Sequence, residues 1–299
     1  MIKPMLAKVA KTPTDDDNWL YEIKWNGVRC IMNWSRDTIR LQSRSGKDMT
    51  EAFPEFQKVR LSCKSATVDG EIVGLDADGK SVFDKVARRV HLQNQGKQRL
   101  LAEIAPMSFV AFDLLSLNGE SIKSKSLITR KELLSLTLDD ESRLAFRSRF
   151  IEGAGTQLYA EAVERGLEGI MAKKMSGTYR EGTRADDWLK VKPQKKARCL
   201  VLGWKNGESY REKLGALYIA QEVNGNLQYR GKVGSGLTLT DLDTMSRTLD
   251  TLKTDLPTLP IQEPDAHWIK KGLEVEVAYF DTTADGKFVF PSFKGVADA

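Results

Sequence analysis

Three Asx-Gly pairs, Asn206-Gly207, Asn224-Gly225 and Asp285-Gly286, fall in the last third of the chain, each beside short apolar runs. Such a pair supplies two residues tolerant of positive φ, as a tight hairpin requires, so it commits the flanking runs to antiparallel pairing. Those runs are residues 200–204, 214–220, 227–233 and 273–280. One helix is expected among them. Thr240 would cap it with Asp243 three residues on, and Leu242, Met245 and Leu249 space its apolar face. Residues 197–299 therefore read as a small β-barrel.

The chain before residue 197 has another texture. Residues 19–34 read as two strands, with Trp19, Tyr21, Ile23 and Trp25 alternating with other residues, and 67–75, 108–115 and 167–174 are further strand-like runs. Helical patterns lie over 127–138 and 156–165, the second stopping at Gly166 as a helix end does. The fold class is thus α+β over residues 1–196, followed by a five-stranded barrel of the size of an OB-fold over 197–299.

Composition excludes several classes. Hydrophobic residues make up 41% and charged residues 29% of the 299 residues, the balance of an ordinary globular protein. No apolar run approaches the ~20 residues of a membrane-spanning helix, so no membrane partner is expected. No apolar signal segment follows Met1, and no extra DNA-binding domain is recognised ahead of the first strands. Cys30, Cys63 and Cys199 form no CxxC pair, which argues against a disulfide framework or a cysteine zinc site and for a reducing, cytoplasmic setting. The net charge of +5 is modest, but its distribution is not even. Between 170 and 198 nine cations, from Lys173 to Arg198, face only Glu181, Asp186 and Asp187, a density that points to an anionic, phosphate-bearing partner.

The chemistry sits in separate short segments. In Glu22-Ile23-Lys24-Trp25-Asn26-Gly27-Val28-Arg29, alternation turns Lys24 away from Ile23 and Trp25, and Gly27 is expected to let the backbone turn closely around a ligand. A free lysine amine can attack an α-phosphate and form a phosphoramidate. Ser43-Arg44-Ser45-Gly46 offers a cation beside a turn. Asp69-Gly70-Glu71 and Glu168-Gly169 each set carboxylate against glycine in an apolar strand. Phe109 to Leu115 reads as a buried strand carrying Phe112. In Trp188-Leu189-Lys190-Val191-Lys192, two lysines share one strand face while Leu189 and Val191 pack behind. Two cations side by side repel unless an anion sits between them. Each segment alone fits an ordinary strand.

Taken in order, these segments resemble the nucleotidyltransferase motifs of ATP-dependent DNA ligases. Lys24-x-Asn26-Gly27-x-Arg29 stands where that family has Lys-x-Asp-Gly-x-Arg, and Arg44–Gly46, Asp69–Glu71, Phe109–Asp113, Glu168-Gly169 and Lys190-x-Lys192 follow in the family's order. Leu214 to Leu217, Tyr229 to Gly236 and Pro291 to Gly295 look like the OB-domain of ligase modules in bacterial end-joining proteins. The resemblance implies an ATP-grasp-like adenylylation domain ahead of the OB-fold. It implies that Lys24 attacks the α-phosphate of ATP and carries AMP. Glu22 and the Ile23 backbone would contact adenine, and Phe112 would stack on its face. Arg29 and Glu71 would position the ribose, and Arg44 a phosphate. Lys190, Lys192 and Arg184 would grip phosphates, and Glu71 and Glu168 would hold Mg²⁺, with Mn²⁺ an alternative.

The implied partner is nicked duplex DNA, sealed by a monomer. Two other readings stay open at this point: an RNA ligase or capping-type nucleotidyltransferase, and a non-catalytic nucleic-acid binder built on the OB-fold. The sequence departs from the family twice. Asn26 replaces the motif's aspartate, and Val296-Ala297-Asp298-Ala299 lacks the arginine and terminal lysine usual in the last motif, from which slow reaction with ATP is expected.

Overall fold

The computed structural model describes residues 1–36, 38–92, 94–138, 142–208, 214–283 and 285–297; Asp298 and Ala299 lie outside them. The chain divides into two units, Met1–Lys192 and Pro193–Ala299, each with its own apolar cores. The boundary read from the sequence, between 196 and 197, falls inside the strand Lys195–Lys205.

In the first unit the alternating run becomes two strands, Trp19–Ile23 and Val28–Ser35, but they belong to different sheets. One sheet runs in the order Leu6–Ala10, Arg184–Val191, Ile170–Lys174, Trp19–Ile23, Phe150–Glu152. The other runs Thr38–Ser43, Val28–Ser35, Ser65–Val73, Ser108–Leu117, Glu120–Ser121, with Ala145–Arg147 parallel to Ser108–Leu117. Lys24 to Gly27 is therefore a crossing between sheets. Gly27 lets that crossing pass close to its neighbour: a Cβ there would lie 2.1 Å from the carbonyl oxygen of Ile72 on the adjacent strand.

Helices brace both sheets. Leu127–Thr137 starts at Ser126, whose hydroxyl accepts the Thr129 N–H, and lies against Ser108–Leu117. Arg130 on this helix makes two 2.7 Å bonds to Asp113, both side chains fully buried. Gly155–Glu164 covers the first sheet, packing Ala162 with Tyr21, Ile170 and Val191. It ends before Gly166, whose φ of +65° is the left-handed exit a helix end favours.

In the second unit Lys195–Lys205 pairs with Ala216–Val223 along one edge and with Glu274–Tyr279 along the other. Asn224-Gly225, at φ +50° and +77°, forms the expected two-residue hairpin to Asn226–Val233. Ser292–Val296 pairs with Glu274–Tyr279, and a single parallel bridge from Ser235 to Ser292 completes the circuit. At that seam the Phe293 N–H donates to Ser235 O at 2.9 Å and Ser235 Oγ to Pro291 O at 2.7 Å. Two of the motifs read from the sequence thus meet where the circuit joins. One bridge is not a full ladder, so this is the partly open five-stranded barrel of an OB-fold.

Two expectations for this unit change. Lys205 pairs with Ala216, so Asn206-Gly207 opens a longer connection, of which 209–213 lie outside the described residues. The helix is Leu239–Leu252, and its capping box is Thr238 with Asp241, two residues before the expected pair. Both pairs have the right spacing. The earlier one also sets Leu237 before the cap and Leu242 at the fourth helical position, and both leucines are buried in one core. The later pair would have set Leu239, which is exposed, opposite Thr244.

Candidate active site

Where the chain crosses between the sheets of the first unit it leaves a cleft of about 240 Å³. The crossing and the strand before it contribute Glu22, Ile23, Lys24 and Trp25. The second sheet contributes Arg29, Glu71 and Phe112; the first contributes Met171, Lys173, Arg184, Trp188 and Lys190; Arg44 completes the rim. Of the site residues expected from sequence, all line this cleft except Glu168 and Lys192. Those two reach it through Lys24.

Lys24 Nζ lies 2.7 Å from Glu168 Oε2, and Lys192 Nζ lies 2.9 Å from Glu168 Oε1. One carboxylate therefore bridges two ammonium groups, and all three side chains are partly exposed, at 19%, 24% and 15% for Lys24, Glu168 and Lys192. Backbone geometry fixes the trio. The Lys24 N–H donates to Gly169 O at 2.9 Å, which ties the crossing to the segment carrying Glu168. Gly169 has φ +114°, and a Cβ there would lie 2.1 Å from Val191 O, so no other residue fits beside the strand that leads to Lys192. Lys190 faces the cleft while Leu189 and Val191 pack behind it.

Glu71 stands near this trio. Burial pushes its carboxyl up to about 7, against the pull of Arg29 and Lys24 and with the repulsion of Asp69 and Glu168 adding to the rise. Two carboxylates, Glu71 and Glu168, thus share one cationic neighbourhood. Among the described residues no group of three or more His, Cys, Asp or Glu forms a metal site. A pair of carboxylates completed by phosphate oxygens and water suits Mg²⁺, which seldom takes an all-protein cage.

The other end of the cleft is dry. Glu22, 1% exposed, pairs with Lys131 and, at 2.8 Å, with Lys173. Burial alone would raise the Glu22 carboxyl, but the two lysines outweigh it and hold it below the ordinary range. Lys173 moves the other way: burial lowers it to about 8, with Glu22 opposing. Its ammonium lies 4.3 Å from the Phe112 ring centre and 4.4 Å from that of Trp188. Phe112 meets Trp188 edge-on, and the Arg29 guanidinium stands 4.5 Å from its ring centre. Arg29 is itself clamped, donating from Nε and Nη2 to Asp69 at 2.6 Å each. Asp69 also accepts from Tyr179 Oη at 2.5 Å, and the Met5 N–H donates to Tyr179 Oη at 3.0 Å. Arg184 is tied to the first strand through Ala7 O at 2.5 Å.

Sequence reading had not assigned Lys173, Trp188, Lys131, Asp69 or Tyr179 to the site. Strand alternation held a clue for Trp188, two residues before Lys190 on Arg184–Val191, and for Lys173. Met171 and Lys173 lie two apart on Ile170–Lys174, so they share a face, and both line the cleft. Nothing local marks Lys131 or Tyr179, which join Glu22 and Asp69 from more than a hundred residues away.

The family model described as ATP dependent DNA ligase domain matches residues 4–192, and the one described as ATP dependent DNA ligase C terminal region matches 210–298. The chain belongs to the ATP-dependent DNA ligases. Members of this family are covalent nucleotidyltransferases that use ATP and act on DNA. The chain is 31% identical over 286 residues to the multifunctional non-homologous end joining DNA repair protein LigD of Mycobacterium tuberculosis, a match covering 93% of this chain and 36% of that relative. It thus spans about a third of the length of the curated end-joining relatives it matches. DNA ligase C1 of Mycolicibacterium smegmatis is 32% identical over 245 residues, 78% of this chain and 68% of that ligase. The crystal structure of the ligase domain from M. tuberculosis LigD superposes with a TM-score of 0.58 at 26% identity, covering 99% of this chain and 95% of that one. A mycobacterial DNA ligase D complexed with ATP superposes at 0.56 with the same identity and coverage. No helix among the described residues of this ligase is long and apolar enough to cross a membrane.

Proposed function

We propose that this ligase seals nicks bearing a 5′-phosphate and a 3′-hydroxyl in duplex DNA, with Lys24 as the residue that carries AMP. The observation that carries this reading is the placement of Lys24. It is the lysine of the crossing between sheets, it lines the cleft together with Lys190, and its ammonium is held by Glu168, which also holds Lys192.

Three displacements at phosphorus account for sealing. The Lys24 amine nitrogen bonds to the α-phosphorus of ATP as the bond to the β-phosphate oxygen breaks, and pyrophosphate leaves. An oxygen of the nick's 5′-phosphate then attacks the AMP phosphorus, the P–N bond breaks and the amine is restored. Finally the 3′-oxygen attacks the activated 5′-phosphorus and AMP leaves. Each step spreads negative charge over phosphate oxygens, which Lys190, Lys192, Arg44 and Arg184 would neutralise. Glu71 and Glu168 are the carboxylates that would hold Mg²⁺ or Mn²⁺, which would supply further charge neutralisation. At the dry end, Glu22 and the Ile23 backbone would contact adenine, Phe112 and Trp188 would wall it, and Arg29 and Glu71 would position the ribose.

The three cysteines are free, which fits a reducing cytoplasm. Incubation with ATP labelled at the α-phosphate, followed by addition of nicked DNA or nicked RNA duplex, tests the reading. Label should appear on the protein, move to DNA and leave as AMP with sealing. Label that stays on the protein with DNA but moves to RNA would contradict it.

A further inference from the structure

A second cavity, about 290 Å³, shares Ile23 and Trp25 with the nucleotide cleft and so flanks the segment that carries Lys24. Its lining combines the apolar side chains of Ile23, Trp25 and Leu167 with the polar ones of Lys80, Ser81 and Arg165. Leu167 directly precedes Glu168, the partner of Lys24. Ser81 is bound into the same crossing, its Oγ accepting the Asn26 N–H at 2.9 Å. The loop that carries Lys80 is shaped by Asp76, whose Oδ1 accepts from the backbone N–H of Asp78 and of Lys80. Arg165 closes the helix Gly155–Glu164. Two cations from distant parts of the chain therefore meet at one cavity beside the nucleophile. Among the described residues neither Lys80 nor Arg165 pairs with a carboxylate. Asp78, at the exposed tip of the loop, also lines the cavity and offsets one of the two charges.

We propose that this cavity binds the sugar-phosphate backbone of the DNA strand beside the nick, with Lys80 and Arg165 on its phosphates and Trp25 and Leu167 against its sugar. The inference rests on the nick-sealing reading. Once AMP fills the cleft, the 5′-phosphate must reach the Lys24–AMP bond from outside it, so the nucleotides beside the nick must run over surface next to the Lys24 segment, and this cavity adjoins that segment through Ile23 and Trp25. Apolar side chains and two cations on one cavity wall match a deoxyribose between phosphates. The same chemistry would also suit the leaving pyrophosphate of ATP, and the two sources separate by step.

The test compares wild type with Lys80→Gln/Arg165→Gln and with Asp78→Asn in two assays. One is AMP loading from ATP; the other is binding of nicked duplex, from low to moderate salt. The double variant should load AMP at the wild-type rate, bind nicked DNA at least tenfold more weakly, and lose about 2 from the slope of log affinity against log salt, near one per phosphate contact. Asp78→Asn should bind nicked DNA several-fold more tightly. An unchanged salt slope in the double variant overturns the site, and so does slowed loading, which would assign the cations to pyrophosphate. The nick-sealing reading is judged separately, on wild type alone. If wild type does not seal a nick that is already adenylylated, that reading fails and takes this site with it.

Discussion

The two ends of the nucleotide cleft hold the same kind of arrangement, a glutamate between two lysines, in opposite surroundings. At one end Glu22 sits between Lys131 and Lys173 with all three side chains 5% exposed or less. At the other Glu168 sits between Lys24 and Lys192 with 15–24% of each exposed. Charges in a low-dielectric interior are costly to separate, because a partner removed leaves an ion that water cannot reach. Near water the same separation costs little. The dry trio therefore fixes the shape of the cleft, and the wetter one is free to trade its internal partner for phosphate. A site that must hold one nucleotide while changing what is bonded to Lys24 needs both.

The comparison breaks first at Glu22. Glu22→Ala leaves Lys131 and Lys173 buried without an anion and should destabilise the first unit by about 3–5 kcal/mol, read by denaturant unfolding. Stability close to wild type would mean that the dry trio fixes nothing. Glu168→Ala should do the reverse, leaving the unfolding midpoint almost unchanged while cutting sealing by roughly a hundredfold or more, as loss of a group that acts on the reacting phosphates does. Raising Mg²⁺ should not restore it. Parallel losses of stability and sealing would erase the distinction between the two ends.

Glu71 sharpens the comparison through pH. With its carboxyl up at about 7, it is neutral below that value and charged above it. If the charged form is the one that serves ATP, AMP loading should rise about tenfold per pH unit below 7 and level off above it. Glu71→Gln should remove that inflection. The stability of the fold should move the other way. Between pH 4.5, its ordinary value, and about 7, the folded chain keeps a proton that the unfolded chain has lost, so this group's contribution to stability falls as pH rises through that window. The smallest effect is expected at Asn26. Asn26→Asp restores the family's charge within the crossing and should speed AMP loading only several-fold, because the backbone contact to Ser81 is kept. A slower variant would show that the cleft is tuned around the amide.

Much of the exposed end was legible in the sequence. Lys24, Glu168, Lys190 and Lys192 lie in short segments that resemble the ligase motifs when taken in order; the structure joins Lys24 to Glu168 across 144 residues of chain, sets Lys192 on the same carboxylate and leaves Lys190 on the cleft wall. The dry end was not legible in the same way. Glu22 and Phe112 carried expected roles toward adenine, but nothing local shows that Lys173, 151 residues on, pairs with one and lies over the other. Arg29 reads as a ligand for ribose, yet most of its fork is committed to Asp69. Long-range pairing of buried charges is decided by how strands are ordered in a sheet, which one-dimensional periodicity does not contain. The helix cap at Thr238 is a smaller case of the same kind. Two Thr-x-x-Asp pairs compete, and the burial of Leu237 and Leu242 decides between them.

The central claim is that Lys24 forms the bond to AMP, and intact mass of the protein after incubation with ATP and Mg²⁺ tests it most directly. Wild type should gain the mass of one AMP, lost in acid and stable in base as a phosphoramidate is, and transferable to nicked DNA. Lys24→Ala, folded and with the unfolding midpoint of wild type, should gain none. An adduct of the same mass on Lys24→Ala, formed at the wild-type rate, would place the nucleophile elsewhere and contradict the assignment.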